Sequence, residues 1–320
     1  MIVAVTGATG FIGRHLIAKH LAMGDEVRFL SRSIQFADVF PGASFFQGDL
    51  TSSASELRAF VAGVDVLYHC AAELRDETLM HATNVDGTAH LLSAAEGRVK
   101  RWVQLSSTGV YGNPRHREID ETAEMQPMNA YERSKAAADV LVLEAVENRR
   151  IEECVLLRPS NVYGNDMPNQ SLFQLIAMID KGWFFFIGNE SAMANYIHVD
   201  NVVDALVLCA TSPLSSKSPT YIVSDHCPLH VWVEMISNAL NKPAPRLRVP
   251  ESLARGLANI VRVMPRFPLT SSRIDAMTNA TLYKSARIQT ELGYRPRVSM
   301  QAGMTALTHC WQRNNAEDTA

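Results

Sequence analysis

Three glycines at three-residue spacing, Gly7, Gly10 and Gly13, come directly after a short apolar run at the N-terminus of the chain. The residues after them have the apolar spacing of a helix. Glycine permits a tight strand-to-helix turn and close approach of the backbone to a ligand, and a helix N-terminus attracts negative charge. The arrangement therefore predicts a loop that holds the pyrophosphate of a dinucleotide. The predicted contacts are Gly7, Thr9, Gly10, Phe11, Ile12 and Gly13.

Short apolar runs alternate with helical patterns through the first half of the chain. This alternation is typical of a parallel sheet with helices on both faces, whose ligands bind at the carboxyl ends of the strands. The predicted fold is α/β, a Rossmann-type doubly wound parallel sheet with a smaller, discontinuous C-terminal substrate lobe. The predicted strands are 2–5, 26–30, 44–47, 64–69, 102–105 and 154–157, and the predicted helices are about 11–21, 54–61, 79–95 and 131–147.

The regular pattern ends at about residue 165, which indicates a second part of the molecule. We assign residues 1–165 and about 195–225 to the dinucleotide-binding domain, because a strand-and-helix pattern returns in the second of these segments. Residues of about 166–194 and 226–311 form the predicted substrate-binding lobe. The polar residues 312–320 are expected to form a flexible tail.

Composition excludes several classes of protein. A formal net charge of −3 argues against a nucleic-acid-binding surface. Five cysteines are widely spaced without a Cys-x-x-Cys pair, so neither a disulfide framework nor a metal site is predicted. The N-terminus lacks the pattern of a signal peptide, and no segment has the roughly 20 apolar residues of a membrane-spanning helix. We therefore expect a cytoplasmic protein that acts on a small-molecule substrate.

Arg32 follows the second predicted strand, where folds of this kind recognise the adenosine ribose. An acid at this point hydrogen-bonds the 2′-hydroxyl of NAD, whereas an arginine accommodates the 2′-phosphate of NADP. Glu26 is too early in the strand to serve as that acid. NADP(H) is therefore the favoured cofactor and NAD(H) the alternative, which applies if Arg32 is only a solvated loop residue.

Tyr131 and Lys135 are four residues apart in a predicted helix, so their side chains share one face. A free tyrosine, with a pKa near 10, is a poor base at neutral pH. A neighbouring cation favours the phenolate, so Lys135 is expected to lower the pKa of Tyr131. The pair predicts proton transfer at a hydroxyl or carbonyl oxygen, coupled to hydride transfer at a nicotinamide.

These motifs in this order resemble the extended short-chain dehydrogenase/reductase family, which includes nucleotide-sugar epimerases, dehydratases and reductases. The resemblance covers nearly the whole chain. It rests on the glycine loop, the Tyr–Lys pair and four further segments, 48–50, 69–72, 158–164 and 196–201.

The resemblance implies roles for further residues. Ser107 matches the hydroxyl that hydrogen-bonds the reacting substrate oxygen, and its neighbour Thr108 is an alternative to it. Asn84 matches the asparagine that supports the lysine and an active-site water. The implied catalytic residues are thus Ser107, Tyr131, Lys135 and Asn84, and further implied cofactor contacts are Asp49, Leu50, Ala71, Ala72, Tyr131, Lys135 and Pro159. Dimers are frequent in the family, so a homodimer is expected by analogy.

The substrate is less constrained. Asn161 matches the asparagine that contacts the nucleotide end of a nucleotide sugar, but Ala194 stands near the position of the family arginine that grips the diphosphate. A basic stretch between Lys242 and Arg273 offers other cations, of which Arg262 and Arg273 are candidate substrate contacts. Residues 252–266 also form an amphipathic pattern that fits contact with a membrane surface or ordinary packing on the core.

The sequence favours one function, on a nucleotide-linked sugar, and leaves two alternatives open. The first of the three is reduction of a 4-keto group, or epimerisation of a hydroxyl through a ketone, on a nucleotide-linked sugar. The second is reduction of a non-nucleotide carbonyl such as a hydroxysteroid-like or flavonoid-like ketone. The third is a non-catalytic sensor or assembly factor that keeps the dinucleotide fold, although such proteins usually lose the tyrosine or the lysine.

Overall fold

The computed structural model of the chain describes residues 1–114, 117–261 and 271–317. Its main feature is a sheet of seven parallel strands in the order β11-β7-β5-β4-β1-β2-β3. These strands are β1 (Ile2–Thr6), β2 (Glu26–Ser31), β3 (Ser44–Gln47), β4 (Val64–His69), β5 (Val99–Leu105), β7 (Glu153–Pro159) and β11 (Thr220–Val223). The predicted α/β class and parallel sheet are confirmed.

Apolar residues cover both faces of this sheet, as a parallel sheet requires. One face packs against α1 (Phe11–Ala22), α7 (Val199–Thr211) and α11 (Ala286–Leu292). The other face packs against α2 (Ala54–Val61), α4 (Gly87–Ala95) and α5 (Ala130–Glu147). The strand order reverses on either side of β1, so a crevice for ligands is expected at the carboxyl ends of β1 and β4.

A second apolar cluster lies beside the main sheet. It contains residues of β8 (Asn161–Tyr163) and β10 (Met193–His198), which form a three-stranded sheet with β12 (Asp225–Pro228). Helices α6 (Ser171–Asp180), α8 (Leu229–Ala239) and α12 (Met300–Glu317) pack against these strands. The described residues also contain two parallel pairs of short strands, β6 (Glu118–Ile119) with β14 (Leu282–Tyr283) and β9 (Phe186–Ile187) with β13 (Arg248–Val249).

Three segments differ from the sequence-based expectation. The helix expected at 79–95 is divided into α3 (Glu77–His81), a π-helical turn (Ala82–Asp86) and α4. The returning strand, β10, pairs with β8 and β12 and not with the main sheet. Residues 312–317, assigned to a flexible tail, are the last turns of α12.

The remaining helices are α9 (Glu251–Val261) and α10 (Ser271–Thr278). They lie on either side of residues 262–270, which the structure does not describe. Arg262 and residues 262–266 of the predicted amphipathic pattern therefore lie outside the described residues. Within the described ranges, the helices are too short or too polar to cross a bilayer.

Candidate active site

The glycine loop joins β1 to α1 at the carboxyl edge of the sheet. Gly7 has a φ of +68°, and a Cβ on it would lie 2.6 Å from the Ala71 nitrogen at the end of β4. A Cβ on Gly13 would clash with the Gly7 carbonyl, 2.8 Å from its carbon. Gly10 caps α1, and Thr9 and Gly10 are exposed. The loop therefore presents bare backbone beside a helix N-terminus, which fits a pyrophosphate.

The predicted adenosine contacts lie at the neighbouring strand ends. Arg32 is exposed directly after β2, and its carbonyl oxygen accepts from Gln47 Nε2 at 3.4 Å. Asp49, after β3, accepts from the Thr51 N–H at 3.0 Å, and Leu50 is buried against Gly87. The structure thus places a cation and a carboxylate at the edge where the ribose and adenine would lie.

A directional chain of hydrogen bonds connects β1, β4 and α4. Thr88 Oγ1 donates to the Asn84 carbonyl at 2.6 Å, so it accepts from His69 Nε2 at 2.9 Å. His69 Nδ1 then accepts from Thr6 Oγ1 at 2.7 Å, and Thr6 Oγ1 accepts from the Ala71 N–H at 3.3 Å. Burial lowers the pKa of His69 to about 3, so the ring is neutral, as this chain requires. These hydrogen bonds hold the backbone at Ala71, which with Ala72 is expected to line the cofactor.

Asn84 was predicted to support the lysine, and the structure gives it a related position. Its Nδ2 donates to the Glu73 carbonyl at 3.0 Å and to Ser134 Oγ at 2.9 Å, and its Oδ1 accepts from the Glu73 N–H at 2.6 Å. Asn84 therefore joins the loop after β4 to the residue before Lys135. Asn84 lies within the π-helical turn, a local irregularity that is common at functional sites.

Tyr131 lies in the first turn of α5, which begins with a capping box of Asn129 and Glu132. The phenol is half-buried. Burial is the largest influence on it and raises the pKa of Tyr131 to about 12, while a hydrogen bond from Ser107 opposes the rise. The expected lowering by Lys135 was wrong for this arrangement, because desolvation of the phenolate outweighs the opposing effects.

Lys135 is buried one turn beyond Tyr131. Its Nζ donates to the Leu105 carbonyl at 2.7 Å, at the end of β5 and two residues before Ser107. Burial lowers the pKa of Lys135, and Asp139 opposes that shift. Tyr131, Lys135 and Ser107 therefore lie near the carboxyl end of β5, where Lys135 contacts Leu105 and Ser107 contacts Tyr131.

Sequence reasoning missed a buried network behind Lys135. Asp139, fully buried on α5, accepts from Ser106 Oγ at 2.8 Å and from Arg158 Nη2 at 2.9 Å. Arg158 Nη1 donates in turn to the Tyr111 hydroxyl at 2.8 Å. Two features signal this network: Tyr131, Lys135 and Asp139 repeat every four residues on α5, and Arg158 precedes Pro159, which ends β7 beside β5.

The candidate substrate contacts have varied surroundings. Thr108 is buried and hydrogen-bonded to Tyr283. Asn161 is exposed, and its Nδ2 donates to the Asn195 carbonyl at 3.3 Å. Ala194 is 3% exposed and pairs with Cys227. Arg273 Nη2 donates to Gln174 Oε1 at 2.6 Å, and Arg262 lies outside the described residues.

Other cations of the basic stretch contact protein acceptors. Lys242 pairs with Asp180 at 2.7 Å, and Arg255 pairs with Glu251 at 2.8 Å and Asp275 at 2.6 Å. Arg248 Nη1 donates to the Asn189 carbonyl at 2.7 Å. These contacts give the three cations structural roles and weaken the prediction that this stretch grips a diphosphate.

Comparison with known proteins gives a family match over most of the chain. Residues 3–223 match the model of the NAD dependent epimerase/dehydratase family. A 4-hydroxy-2-methyl-3-oxo-4-farnesyl-3,4-dihydroquinoline-1-oxide ketoreductase of Stigmatella aurantiaca is 29% identical over 95% of this chain and 94% of its own. A 3 beta-hydroxysteroid dehydrogenase/Delta 5-->4-isomerase of Mycobacterium tuberculosis is 27% identical over 96% of this chain and 89% of its own.

Among solved structures, the UDP-glucuronic acid 4-epimerase of Bacillus cereus in complex with NAD is similar in fold. It superposes with a TM-score of 0.75 at 20% identity, over 98% of this chain and 99% of its own. At this identity the likeness concerns the fold alone.

Proposed function

The chain belongs to the NAD dependent epimerase/dehydratase family, and from that premise we propose that it interconverts a ketone and a secondary alcohol on an apolar, non-nucleotide substrate. The resemblance inferred from the motifs is confirmed at the level of the family. The protein is an NAD-dependent oxidoreductase or epimerase of the short-chain dehydrogenase/reductase type.

The observation that carries the proposed substrate class is the chemistry named for the two relatives matched along nearly the whole chain. One is a ketoreductase of a farnesyl-bearing bicyclic compound, and the other is a hydroxysteroid dehydrogenase/isomerase. Both compounds carry large apolar groups. This substrate class is the first of the two alternatives that the sequence left open.

The surroundings of β10 support the same choice. The side chain of Ala194, near the position where nucleotide-sugar enzymes are expected to carry an arginine, is a buried methyl group that cannot bind a diphosphate. Lys242, Arg248 and Arg255 contact protein acceptors. A substrate without a diphosphate needs none of these cations.

The proposed chemistry follows from Tyr131, Lys135 and Ser107. The nicotinamide of the bound cofactor supplies the hydride in the reductive direction. Because its pKa is raised to about 12, Tyr131 is protonated at neutral pH and ready to give its proton to the substrate oxygen. Ser107 would hydrogen-bond the same oxygen, and its hydrogen bond to Tyr131, which lowers the pKa of the phenol, favours the resulting phenolate. Lys135, one turn away, is the proposed contact to the cofactor.

NADP(H) is the proposed cofactor. Arg32 lies at the ribose edge with its side chain exposed, and a guanidinium is suited to a 2′-phosphate. NAD(H) is the alternative, because the matched family is described as NAD dependent.

A nucleotide-sugar reductase or epimerase is the second candidate. Asn161 favours it, because it is exposed at the start of β8 and matches the asparagine that contacts the nucleotide end of such substrates in the resembled family. The two candidates differ in what they bind: a nucleoside diphosphate stabilises only a nucleotide-sugar enzyme.

The test combines binding and turnover. Thermal unfolding is measured with NADPH, NADH, UDP and GDP, and oxidation of NADPH is followed with a 3-ketosteroid, a farnesylated cyclic ketone and UDP-linked sugars. Turnover of an apolar ketone, lost in Tyr131→Phe while NADPH still binds, supports the proposal. Stabilisation by UDP or GDP with turnover of the sugar overturns the substrate class, and turnover that Tyr131→Phe leaves intact overturns the chemistry.

A further inference from the structure

Two segments of the chain, 180–187 and 242–249, run side by side on the surface. At one end Lys242 pairs with Asp180, and at the other β13 pairs with β9 in parallel, with Arg248 opposite Phe186. Between these points the Phe186 N–H donates to the Leu247 carbonyl at 2.9 Å. We call these two segments the aromatic ribbon.

Most apolar side chains of the ribbon pack against the protein, and two are left exposed. Ile187 lies in a buried cluster against which Phe185 and Val249 pack. Phe184 and Phe186 lie in the apolar cluster beside the main sheet. Trp183 is 68% exposed and Leu247 is 66% exposed. Leu253, in the first turn of α9, is 55% exposed. This turn lies next to the end of β9, because a Cβ on Gly188 would lie 3.9 Å from the Glu251 Cβ. Large apolar side chains exposed together mark an interaction surface.

Cations surround these exposed apolar side chains. The Lys181 ammonium lies 5.3 Å from the centre of the Trp183 ring, and Arg246 is exposed directly before Leu247. The two segments carry four cations, Lys181, Lys242, Arg246 and Arg248, against one acid, Asp180, with which Lys242 pairs. The chain as a whole has a net charge of −3, so this local excess of positive charge is a property of the ribbon.

We propose that the aromatic ribbon docks on a lipid bilayer whose surface carries anionic headgroups. Tryptophan is enriched at the boundary between headgroups and acyl chains, and lysine and arginine are attracted to anionic lipids. Trp183 and Leu247 enter this boundary, while Lys181 and Arg246 contact the phosphates. The contact is peripheral and requires no membrane-spanning helix.

A bilayer fits the charge of this surface better than a second copy of the chain. In a twofold dimer the same surface patch faces itself. Lys181 and Arg246 would then meet the same cations of the partner, which costs free energy through like-charge repulsion. Anionic lipids supply the opposite charge instead.

Tryptophan fluorescence tests the insertion directly. The chain has four tryptophans, of which Trp102 and Trp232 are fully buried and Trp311 is partly buried. The full chain is mixed with phosphatidylcholine vesicles that contain about one third phosphatidylglycerol, with brominated or ordinary acyl chains. With the anionic vesicles we expect a blue shift of the wild-type fluorescence and its quenching by bromine. Both effects should be absent in Trp183→Phe, although this variant should still sediment with the vesicles. Quenching that survives in Trp183→Phe overturns the proposal.

Vesicle sedimentation with matched variants tests the surface. Trp183→Ser with Leu247→Ser is expected to weaken binding at least about tenfold, whereas Met23→Ser, an exposed apolar residue at the end of α1, leaves it unchanged. Lys181→Glu with Arg246→Glu weakens binding, whereas Lys217→Glu with Arg58→Glu, two exposed cations elsewhere, does not.

Two outcomes refute the membrane assignment. One is no sedimentation of the wild-type chain with the anionic vesicles. The other is a dimer of the wild-type chain, seen by light scattering, that dissociates in Trp183→Ser with Leu247→Ser. That result would assign the surface to a second copy of the chain. Because these measurements use neither cofactor nor substrate, they are independent of the proposed reaction.

Discussion

Asp139 and Arg158 form a buried ion pair, with 2.9 Å between Asp139 Oδ2 and Arg158 Nη2, and Asp139 lies one helical turn beyond Lys135. Burial raises the pKa of Asp139, and the charges of Arg158 and Lys135 oppose that shift. The Asp139 carboxylate therefore interacts both with Lys135 on its own helix and with Arg158 at the end of β7, next to Pro159.

Asp139→Asn is expected to destabilise the protein by about 3 kcal/mol, because it leaves the Arg158 charge buried without its partner. Chemical denaturation measures the loss. Glu144→Gln, on an exposed position of the same helix, is the matched control and should change the free energy of unfolding by less than about 0.5 kcal/mol. An equal effect of the two substitutions would contradict the importance of the pair.

The same substitution has a predicted effect on the pH dependence of turnover. Asp139 raises the pKa of Lys135, so its removal lowers that pKa further. If the charged lysine is needed, the alkaline limb of the pH profile of kcat moves to lower pH in Asp139→Asn. A loss of kcat with an unmoved alkaline limb would indicate a structural role only.

The site was predictable from sequence where its geometry is local, and was missed where it depends on the fold. The glycine loop and the Tyr131–Lys135 pair are fixed by spacing along one strand, turn or helix. Asp139 shares that spacing, but an acid on a helix is usually solvated, and only Arg158 on a distant strand explains its burial. The predicted direction of the pKa shift of Tyr131 was wrong, because the spacing of residues does not show how deeply a side chain is buried.

Arg32→Ala tests the preference for NADP(H). We expect KM for NADPH to rise about tenfold to a hundredfold, the loss of one or two charge-assisted hydrogen bonds, with KM for NADH nearly unchanged. Arg58→Ala, an exposed arginine of α2, should leave both values unchanged. An equal rise for the two cofactors in Arg32→Ala would show that Arg32 does not select the 2′-phosphate.

Ser107→Ala is expected to lower kcat by about a hundredfold to a thousandfold, as the loss of one donor to a charged oxygen does. Because Ser107 also lowers the pKa of Tyr131, its removal raises that pKa, and the pH at which alcohol oxidation becomes efficient increases. Ser107→Thr keeps a hydroxyl and is the control. A pH profile of oxidation that is the same in Ser107→Ala and wild type would exclude this coupling.

His69 gives a pH dependence of stability whose sign follows from its burial. The ordinary pKa of histidine is 6.5 and that of folded His69 is about 3, so the unfolded chain binds a proton that the folded chain does not. Stability from this group is present above about pH 6.5 and is lost at up to about 1.4 kcal/mol per unit as the pH falls towards 3. The free energy of unfolding, measured with urea between pH 7 and 4, should fall less steeply with decreasing pH in His69→Gln than in wild type. Exposed His230→Gln, the control, should keep the wild-type slope.

Gly13→Ala and Gly256→Ala are the same chemical change, but we expect them to have opposite effects on the free energy of unfolding. A Cβ on Gly13 meets the Gly7 carbonyl and the Ala8 Cα at 2.9 Å, all backbone atoms, so α1 must move away from the loop. A Cβ on Gly256, in α9, has no neighbouring atom within 4 Å among the residues that the structure describes. We expect Gly13→Ala to lower the free energy of unfolding by about 1–3 kcal/mol and to weaken NADPH binding, because overpacking displaces the loop. Gly256→Ala should raise stability by about 0.5–1 kcal/mol, because alanine is the better helix former, and leave binding unchanged. Denaturation and cofactor titration of both variants check this, and intact NADPH binding in Gly13→Ala would show that close packing of α1 on the loop is not required for the cofactor.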